Sequence, residues 1–236
     1  MRTQKETRKG CCDVWNAYMV KGATFSTNDI PLCPCAVTAS PKSLISYEEA
    51  RLIYNRQRQQ KNYDFYVDAF VHFYLDDQKF DGPVSGIWHA PMRAWEILRH
   101  FAGIITPDFS TYADFPYPIK IYNTYRMRAF GYWYGQQGGA VINNVRWGTS
   151  ETYAYTFDGI PQNSIIAIGT VASGLRELKN RSTFEQGFYK LLEMLSPHTI
   201  VVYGSDKYSC FDSIRSEVNI IAFPSETSMA FRRGKR

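Results

Sequence analysis

Long apolar runs are missing from this sequence. No stretch reaches the about 18 consecutive apolar residues of a membrane-spanning helix, and the charged N-terminus lacks the apolar core of a signal peptide. We therefore expect no membrane association and a cytoplasmic protein. Cysteine is also scarce: the 236 residues include five, an odd number that favours reduced thiols over a disulfide framework.

The common catalytic signatures are missing too. The sequence contains no G-x-x-x-x-G-K-[ST] phosphate loop, no G-x-G-x-x-G fingerprint, no G-x-S-x-G elbow and no H-E-x-x-H pair. Cys11, Cys12, Cys33 and Cys35 form two close pairs, but C-C and C-P-C lack the C-x₂₋₄-C spacing of structural zinc sites. Zinc is therefore not expected, and no cofactor is identified.

The net charge of +5 is concentrated at the chain ends. Residues 1–10 carry +3 and residues 231–236 carry +4, which leaves about −2 for the body. The ends are interpreted either as solvated tails or as weak electrostatic attachment to nucleic acid. We divide the chain into an irregular N-terminal arm, one α/β domain and a basic C-terminal tail, with bounds 1–45, 46–225 and 226–236.

Short apolar runs alternate with helix-like segments along the body. Six runs occur, at 70–77, 103–109, 140–148, 164–170, 199–205 and 219–225. Runs of this length fit strands buried on both faces, and their alternation with helices predicts parallel βαβ units. We expect an α/β fold with a predominantly parallel sheet of about six strands, either doubly wound or an incomplete β/α barrel.

Helical periodicity fills the intervals between these runs. Helices are expected at 47–60, 91–102, 118–137 and from Ser182 up to Pro197. Ser182 and Glu185 have capping-box spacing, as Ser46 and Glu49 do. The polar positions of the third helix are assigned to Lys120, Asn123, Arg126 and Arg128.

Polar side chains follow the apolar runs at their C-terminal ends. They include Asp76, Asp77, Asp108, Asn144, Arg146, Thr170, Tyr203, Ser205 and Ser225. Ligands of open α/β sheets and of β/α barrels bind at this edge, because loops converge there above a rigid sheet. We therefore expect any chemical site to lie among these residues.

The functional interpretation gives these side chains separate roles. Asp77 or Asp108 would act as a general base or as a ligand to a divalent metal. Arg146 would clamp an anion, and Trp147 would offer a stacking face to a base. The remaining predicted ligand-binding residues are Asn144, Thr170, Tyr203 and Ser205.

A structural interpretation stays open beside it. Asp77 or Asp108 would pair with Arg146 in an ion pair, and Trp147 would cover the mouth of the sheet. Asp108 and Ser110 would cap a turn. On this interpretation, the polar tips close the sheet and bind no ligand.

Several segments occur in the order of a known family. They are 28-NDIP-31, 71-VHFYLDD-77, 101-FAGIITPDFSTY-112, 122-YNTYRMRAFGYWY-134, 144-NVRWG-148, 157-FDGIPQNSIIAIGT-170 and 196-SPHTIVVYGS-205. Over about 28–225 the chain resembles domain of unknown function 4417, a family of bacteria, their mobile elements and phages. The resemblance implies a phage or mobile-element setting and assigns no catalytic residue. The pattern does not include 11-CC-12 or 33-CPC-35.

Three functions are compatible with these patterns. The leading hypothesis is a phage- or mobile-element-associated protein that binds nucleic acid or a nucleotide at the C-terminal ends of the strands. The second is an enzyme that acts on a phosphorylated or nucleotide substrate through the tip carboxylates and Arg146. The third is a protein–protein inhibitor or scaffold, which needs an exposed aromatic patch.

Overall fold

Across the residues that the structure describes, seven parallel strands lie in sequence order in one sheet that curls into a half-barrel. This computed structural model describes residues 7, 9–35, 37–171, 173, 175, 177–226, 228 and 229. The strands are β1 (Leu44–Ser46), β2 (Val67–His72), β3 (Phe101–Ile105), β4 (Val141–Asn144), β5 (Ile165–Gly169), β6 (Thr199–Tyr203) and β7 (Asn219–Phe223). Most of the predicted basic tails, residues 1–6, 8 and 230–236, lie outside the described residues.

The predicted parallel α/β sheet is confirmed, with seven strands in the described chain where about six were expected. The additional strand is β1, which has three residues and is too short to appear as an apolar run. Of the two sheet types left open, strands in sequence order match the incomplete barrel, because a doubly wound sheet reverses its order at a switch point. The predicted run 70–77 was too long, since β2 ends at His72 and Asp77 begins a 3₁₀ turn.

Helices connect most of the strands. Those of the described residues are α1 (Tyr47–Gln59), α2 (Pro91–Leu98), α3 (Tyr117–Gln136), α4 (Leu178–Leu195) and α5 (Ser209–Asp212). None of these is both long and apolar enough to span a bilayer. Two predicted boundaries were wrong: α2 ends before Ala102 because Phe101 starts β3, and Ser182 lies inside α4, where it cannot cap the helix.

Successive residues of the strands alternate between two apolar layers. In β5, Ile166 and Ile168 pack against Phe188 and other residues of α4, whereas Ala167 faces the inside of the half-barrel. The buried inner layer consists of Phe70, Ile105, Ile142, Ile165, Ala167 and Val201. Both faces of the sheet are therefore covered, which explains the continuous apolar runs of the sequence.

Helix α3 is buried on the side that carries its predicted polar positions. All four of its predicted polar positions are buried, namely Lys120, Asn123, Arg126 and Arg128. The N-terminal arm lies against this helix, where the hydroxyls of Tyr122 and Tyr125 donate hydrogen bonds to the carbonyls of Val14 and Trp15. The four polar side chains face loops of the domain and the end of β4 instead, where Arg126 pairs with Asp81 and Arg128 donates to the carbonyl of Asn144. Local periodicity does not show that these segments cover that side of the helix.

Candidate functional site

Three polar side chains meet at the C-terminal end of β4. Asn144 is the last residue of the strand, and Arg146 follows it in the loop. Arg146 Nη1 donates a hydrogen bond to Asp108 Oδ2 at 2.6 Å, and Asn144 Nδ2 donates one to Asp108 Oδ1 at 2.8 Å. The structure thus joins three of the predicted site residues and forms the ion pair of the structural interpretation.

One nitrogen of the Arg146 guanidinium is held by Asp108, and the other two are free to donate hydrogen bonds. Its attraction to Asp108 raises the pKa of Arg146, in spite of an opposing effect of burial. Within the part of the chain that the structure describes, only Nη1 takes part in a hydrogen bond. The side chain keeps 25% of its surface exposed, so Nε and Nη2 can still donate to a ligand.

An open cavity of about 370 Å³ lies beside this guanidinium. The loop after β3, the end of β4, the loop after β5 and the first turns of α4 form its walls. Its lining includes Asp108, Tyr112, Arg146, Asn180 and Thr183. A cavity of this size falls in the range of small-molecule and cofactor sites, about 300–1,000 Å³.

Tyr74 orients the amide of Asn144. Its hydroxyl donates a hydrogen bond to Asn144 Oδ1 at 3.0 Å, which leaves Nδ2 to face Asp108. The Tyr74 ring stacks on Tyr203 with centroids 5.1 Å apart. Burial raises the pKa of Tyr74 well above its usual range, so the hydroxyl stays a donor. Sequence analysis did not select Tyr74, although it lies inside a segment that carries the family resemblance.

His72 lies under the same aromatic stack. Its ring centroid is 4.2 Å from that of Tyr203, and its Nδ1 accepts a hydrogen bond from the backbone N–H of Tyr74 at 3.3 Å. Burial lowers the pKa of His72 to about 3, so the imidazole is neutral at physiological pH. These contacts and its burial make His72 a residue of the core.

The predicted ligand-binding residues of β5 and β6 bond within the protein. Thr170 Oγ1 donates to the carbonyl of Ser205 at 2.9 Å, and the hydroxyl of Tyr203 accepts from the backbone N–H of Glu226 at 3.3 Å. Thr170 and Tyr203 are both buried. The structure therefore places these three residues next to the site, where they support the loops.

The indole ring of Trp147 packs mainly against the core and is not a freely exposed surface for stacking. Its ring packs against Phe184 and Phe188, and its Nε1 donates to the carbonyl of Phe184 at 3.2 Å. These contacts favour the covering role. Trp147 also lines the cavity, together with the half-exposed ring of Tyr112, which lies 5.5 Å from Arg146 Cζ and was not selected from the sequence.

Asp77 belongs to a different cluster. Its two oxygens accept hydrogen bonds from the N–H and the hydroxyl of Ser110, at 3.1 and 2.9 Å. The carbonyl of Ser110 accepts from Asn123, which in turn accepts from Arg126, the partner of Asp81. Asp77 is thus held by Ser110 and not by Arg146, and the predicted joint role with Asp108 has no contact to support it.

No metal centre emerges from the described residues. Among them, no group of three His, Cys, Asp or Glu side chains is close enough to hold a metal ion. Cys33 is fully buried, and this burial raises its pKa to about 12, whereas Cys11 and Cys12 are exposed. The predicted carboxylate metal site therefore has Asp108 as its one member at the cavity.

Arg128 anchors the backbone of the site from behind. This fully buried side chain donates from Nη1 to the carbonyl of Asn144 at 2.9 Å and from Nε to the carbonyl of Asp158 at 3.0 Å. Burial lowers its pKa to about 10, which leaves it charged at neutral pH. Asp158 Oδ2 accepts from Asn28 of the arm at 2.9 Å. These hydrogen bonds join the N-terminal arm, helix α3 and the end of β4, and all the residues involved lie in segments that carry the family resemblance.

Comparison with known proteins places the chain in a family. Residues 25–224 match the family described as domain of unknown function (DUF4417), and the chain belongs to it. It is 30% identical over 214 residues to the Gene 1 protein of Mycobacterium phage D29, which covers 90% of this chain and 73% of that protein. It is 32% identical over 149 residues to the Gene 1 protein of Mycobacterium phage L5, covering 63% and 62%. No solved structure matches. The resemblance inferred from the sequence is confirmed, and these relatives are phage proteins.

Proposed function

We propose that the protein binds a nucleotide, or another small phosphorylated ligand, at the C-terminal ends of its strands. The supporting observation is the state of Arg146, which is anchored at Nη1 by Asp108 and keeps Nε and Nη2 available beside a cavity. A guanidinium held in this way binds phosphate through two parallel hydrogen bonds and loses little side-chain entropy on binding.

The rest of the cavity suits such a ligand. The first turns of α4 contribute Thr183 and Asn180 to the lining, and Asn180 Nδ2 donates to the carboxylate of Glu177, the residue before the helix, at 3.0 Å. The half-exposed ring of Tyr112 can stack against a base. The cavity volume of about 370 Å³ suits a single nucleotide better than a continuous nucleic-acid strand.

The same geometry favours binding over acid–base catalysis. Both oxygens of Asp108 already accept hydrogen bonds, from Asn144 and Arg146, and both oxygens of Asp77 accept from Ser110. A general base must lie within hydrogen-bond reach of the substrate proton, and each of these oxygens is already directed at a donor of the protein. The carboxylate of Asp108 therefore serves to position Arg146.

Isothermal titration calorimetry of the full-length protein tests the proposal. The ligands are nucleoside mono- and triphosphates with ribose or deoxyribose, and inorganic phosphate. We expect Arg146→Ala to weaken binding about tenfold or more, because a hydrogen bond to a charged group contributes about 1.5–3 kcal/mol. Arg215→Ala is the matched control, since Arg215 is exposed and pairs with Asp206 and Asp212 in another part of the chain.

Two results would contradict the proposal. One is the absence of heat with every ligand at millimolar concentration. The other is an equal loss of affinity in the Arg146 and Arg215 variants. Thermal unfolding of each variant verifies that it folds, and Arg146→Lys, which keeps the charge but not the planar fork, is expected to recover only part of the affinity.

A further inference from the structure

A second cavity, of about 350 Å³, opens at the opposite end of the sheet. It lies where α1 and α2 end and where β2 and β3 begin, so it shares no wall with the Arg146 cavity. Its lining consists of Tyr54, Arg58, Asn62, Tyr63, Phe65, Trp95, Glu96, Arg99 and His100. The function proposed above makes no use of these residues.

Aromatic rings form much of this second cavity. Phe65 stacks on His100 with centroids 4.2 Å apart and planes within 10°, which fixes both rings. Tyr63 keeps 57% of its surface exposed, and the neighbouring Tyr66 keeps 66%. Packing of the core does not account for two tyrosines this exposed within four residues of chain.

Two arginine side chains, Arg58 and Arg99, lie beside these rings. Arg58 lies over the ring of Tyr54, with Cζ 5.7 Å from the centroid, and Arg99 follows the last residue of α2. Neither arginine forms an ion pair within the described part of the chain. Glu96 is the one carboxylate of the lining, so the lining carries a net positive charge although the body as a whole is slightly acidic.

Helix dipoles explain only part of this arrangement. Arg58 and Arg99 lie at the C-terminal ends of α1 and α2, where cations stabilise a helix. That effect does not require exposed aromatic rings between them. Proteins bind single-stranded nucleic acid by the same combination: aromatic rings stack on the bases, and nearby cations contact the phosphates of the nucleic-acid backbone.

We infer that this end of the sheet binds single-stranded nucleic acid. One base stacks against Tyr63, and Arg58 and Arg99 contact the phosphates on either side of it. A duplex is a poor partner, because its bases are already stacked on one another and cannot enter a cavity of this size. The site is separate from the Arg146 cavity and does not depend on the function proposed for it.

Fluorescence anisotropy with the full-length protein tests this inference. The probes are labelled 12-nucleotide single strands of DNA and RNA and a duplex of the same sequence, measured from low to moderate salt. The test variant carries Arg58→Glu and Arg99→Glu. The control variant carries Lys207→Glu and Arg215→Glu, which makes the same change in net charge at exposed positions in the segment between β6 and β7.

We expect the Arg58 and Arg99 variant to lose more than tenfold in affinity for single strands. The slope of log K against log salt should become shallower by about 1.4, since each phosphate contact with a single strand contributes about 0.7. Tyr63→Ala should weaken binding at every salt concentration without changing the slope, because stacking releases no counterions. The control variant should show a clearly smaller loss.

Three outcomes would overturn the inference. They are no binding of any single strand at low salt, an equal loss in the two charge-reversal variants, and tighter binding of the duplex than of either single strand. Arg146→Ala separates the two sites. It is expected to lose nucleotide binding and keep oligonucleotide binding, whereas loss of oligonucleotide binding in that variant would place the strand at the other cavity.

Discussion

The hydroxyl of Tyr74 lies 3.0 Å from Oδ1 of Asn144, and this hydrogen bond decides which way the Asn144 amide faces. With Oδ1 engaged, Nδ2 is directed at Asp108, and Asp108 in turn holds Arg146. A tyrosine inside an apolar run therefore sets the direction of the guanidinium through two intermediate side chains.

Tyr74→Phe should weaken both the fold and the site. The substitution keeps the ring but leaves Asn144 Oδ1 without its donor, which costs about 1–3 kcal/mol for a buried polar group. We expect a lower free energy of unfolding in urea and a several-fold loss of nucleotide affinity by calorimetry. Tyr203→Phe is the control, because within the described residues that hydroxyl accepts one hydrogen bond, from the backbone N–H of Glu226. Equal nucleotide affinity in wild type and Tyr74→Phe would contradict the orienting role.

Gly169→Ala should disturb the same tyrosine by steric contact. A Cβ at residue 169 would lie 2.9 Å from Cδ1 of the Tyr74 ring, whereas at Gly135 it would lie 3.7 Å from the nearest atom. We expect Gly169→Ala to destabilise the protein by about 1–3 kcal/mol, as overpacking does. Gly135→Ala, in the last turn of α3, should stabilise it by up to about 1 kcal/mol. Urea unfolding of the two variants checks the opposite signs.

The neutral, buried His72 predicts a loss of stability in acid. The pKa of His72 is about 3 in the folded protein, whereas an exposed histidine, as in the unfolded chain, has a pKa of 6.5. Between these two pH values the unfolded chain therefore binds a proton that the folded chain does not. The free energy of unfolding is therefore unaffected above about pH 7.5 and falls as the pH drops below 6.5, by up to about 1.4 kcal/mol per pH unit. The stability that the neutral His72 preserves is therefore lost as the pH falls and is retained at high pH.

Urea unfolding of wild type and His72→Asn at pH 7.5 and pH 5.5 measures this effect. Asparagine keeps an acceptor for the N–H of Tyr74 and has no proton to take up in this range. We expect the wild type to lose about 1 kcal/mol more than the variant between the two pH values. Equal losses would show that His72 does not resist protonation in the fold.

The positions of the central strands were predictable because their runs pack on both faces. A strand such as β6, with all five residues buried, leaves a continuous apolar run in the sequence. The edge strand β1 leaves none, since only the last of its three residues is buried. Strand order depends on contacts between distant segments, which local periodicity does not encode.

The candidate site was predictable only in part. Asp108, Asn144 and Arg146 were found because parallel strands bring their C-terminal ends to one edge. Asp77 was grouped with them, but its hydrogen bonds go to Ser110, because β2 ends five residues before it and the intervening turn takes it there. Tyr74 was missed because a tyrosine in an apolar run gives no sign of whether its hydroxyl has a partner.

Arg128 shows the same limit more strongly, since it was assigned to the polar side of a helix and is fully buried. It donates to the carbonyls of Asn144, Thr156 and Asp158, at 2.9, 3.2 and 3.0 Å. Arg128→Met keeps most of the volume and removes every donor. We expect it to destabilise the protein by at least about 3 kcal/mol, because each buried carbonyl left without a donor costs about 1–3 kcal/mol.

Urea unfolding of Arg128→Met beside Arg215→Met tests this anchor, since the second variant removes an exposed arginine and should change the stability by less than about 1 kcal/mol. Arg128→Lys gives an intermediate case that folds more readily. A lysine keeps the charge, but its single ammonium cannot reach three separate carbonyls, so we expect a loss between those of the two methionine variants. The carbonyl of Asn144 also loses its donor in Arg128→Lys, and nucleotide affinity should therefore fall together with stability.

A lysine variant with wild-type stability and affinity would show that the charge of Arg128 is sufficient and that its hydrogen bonds to the loop are not needed.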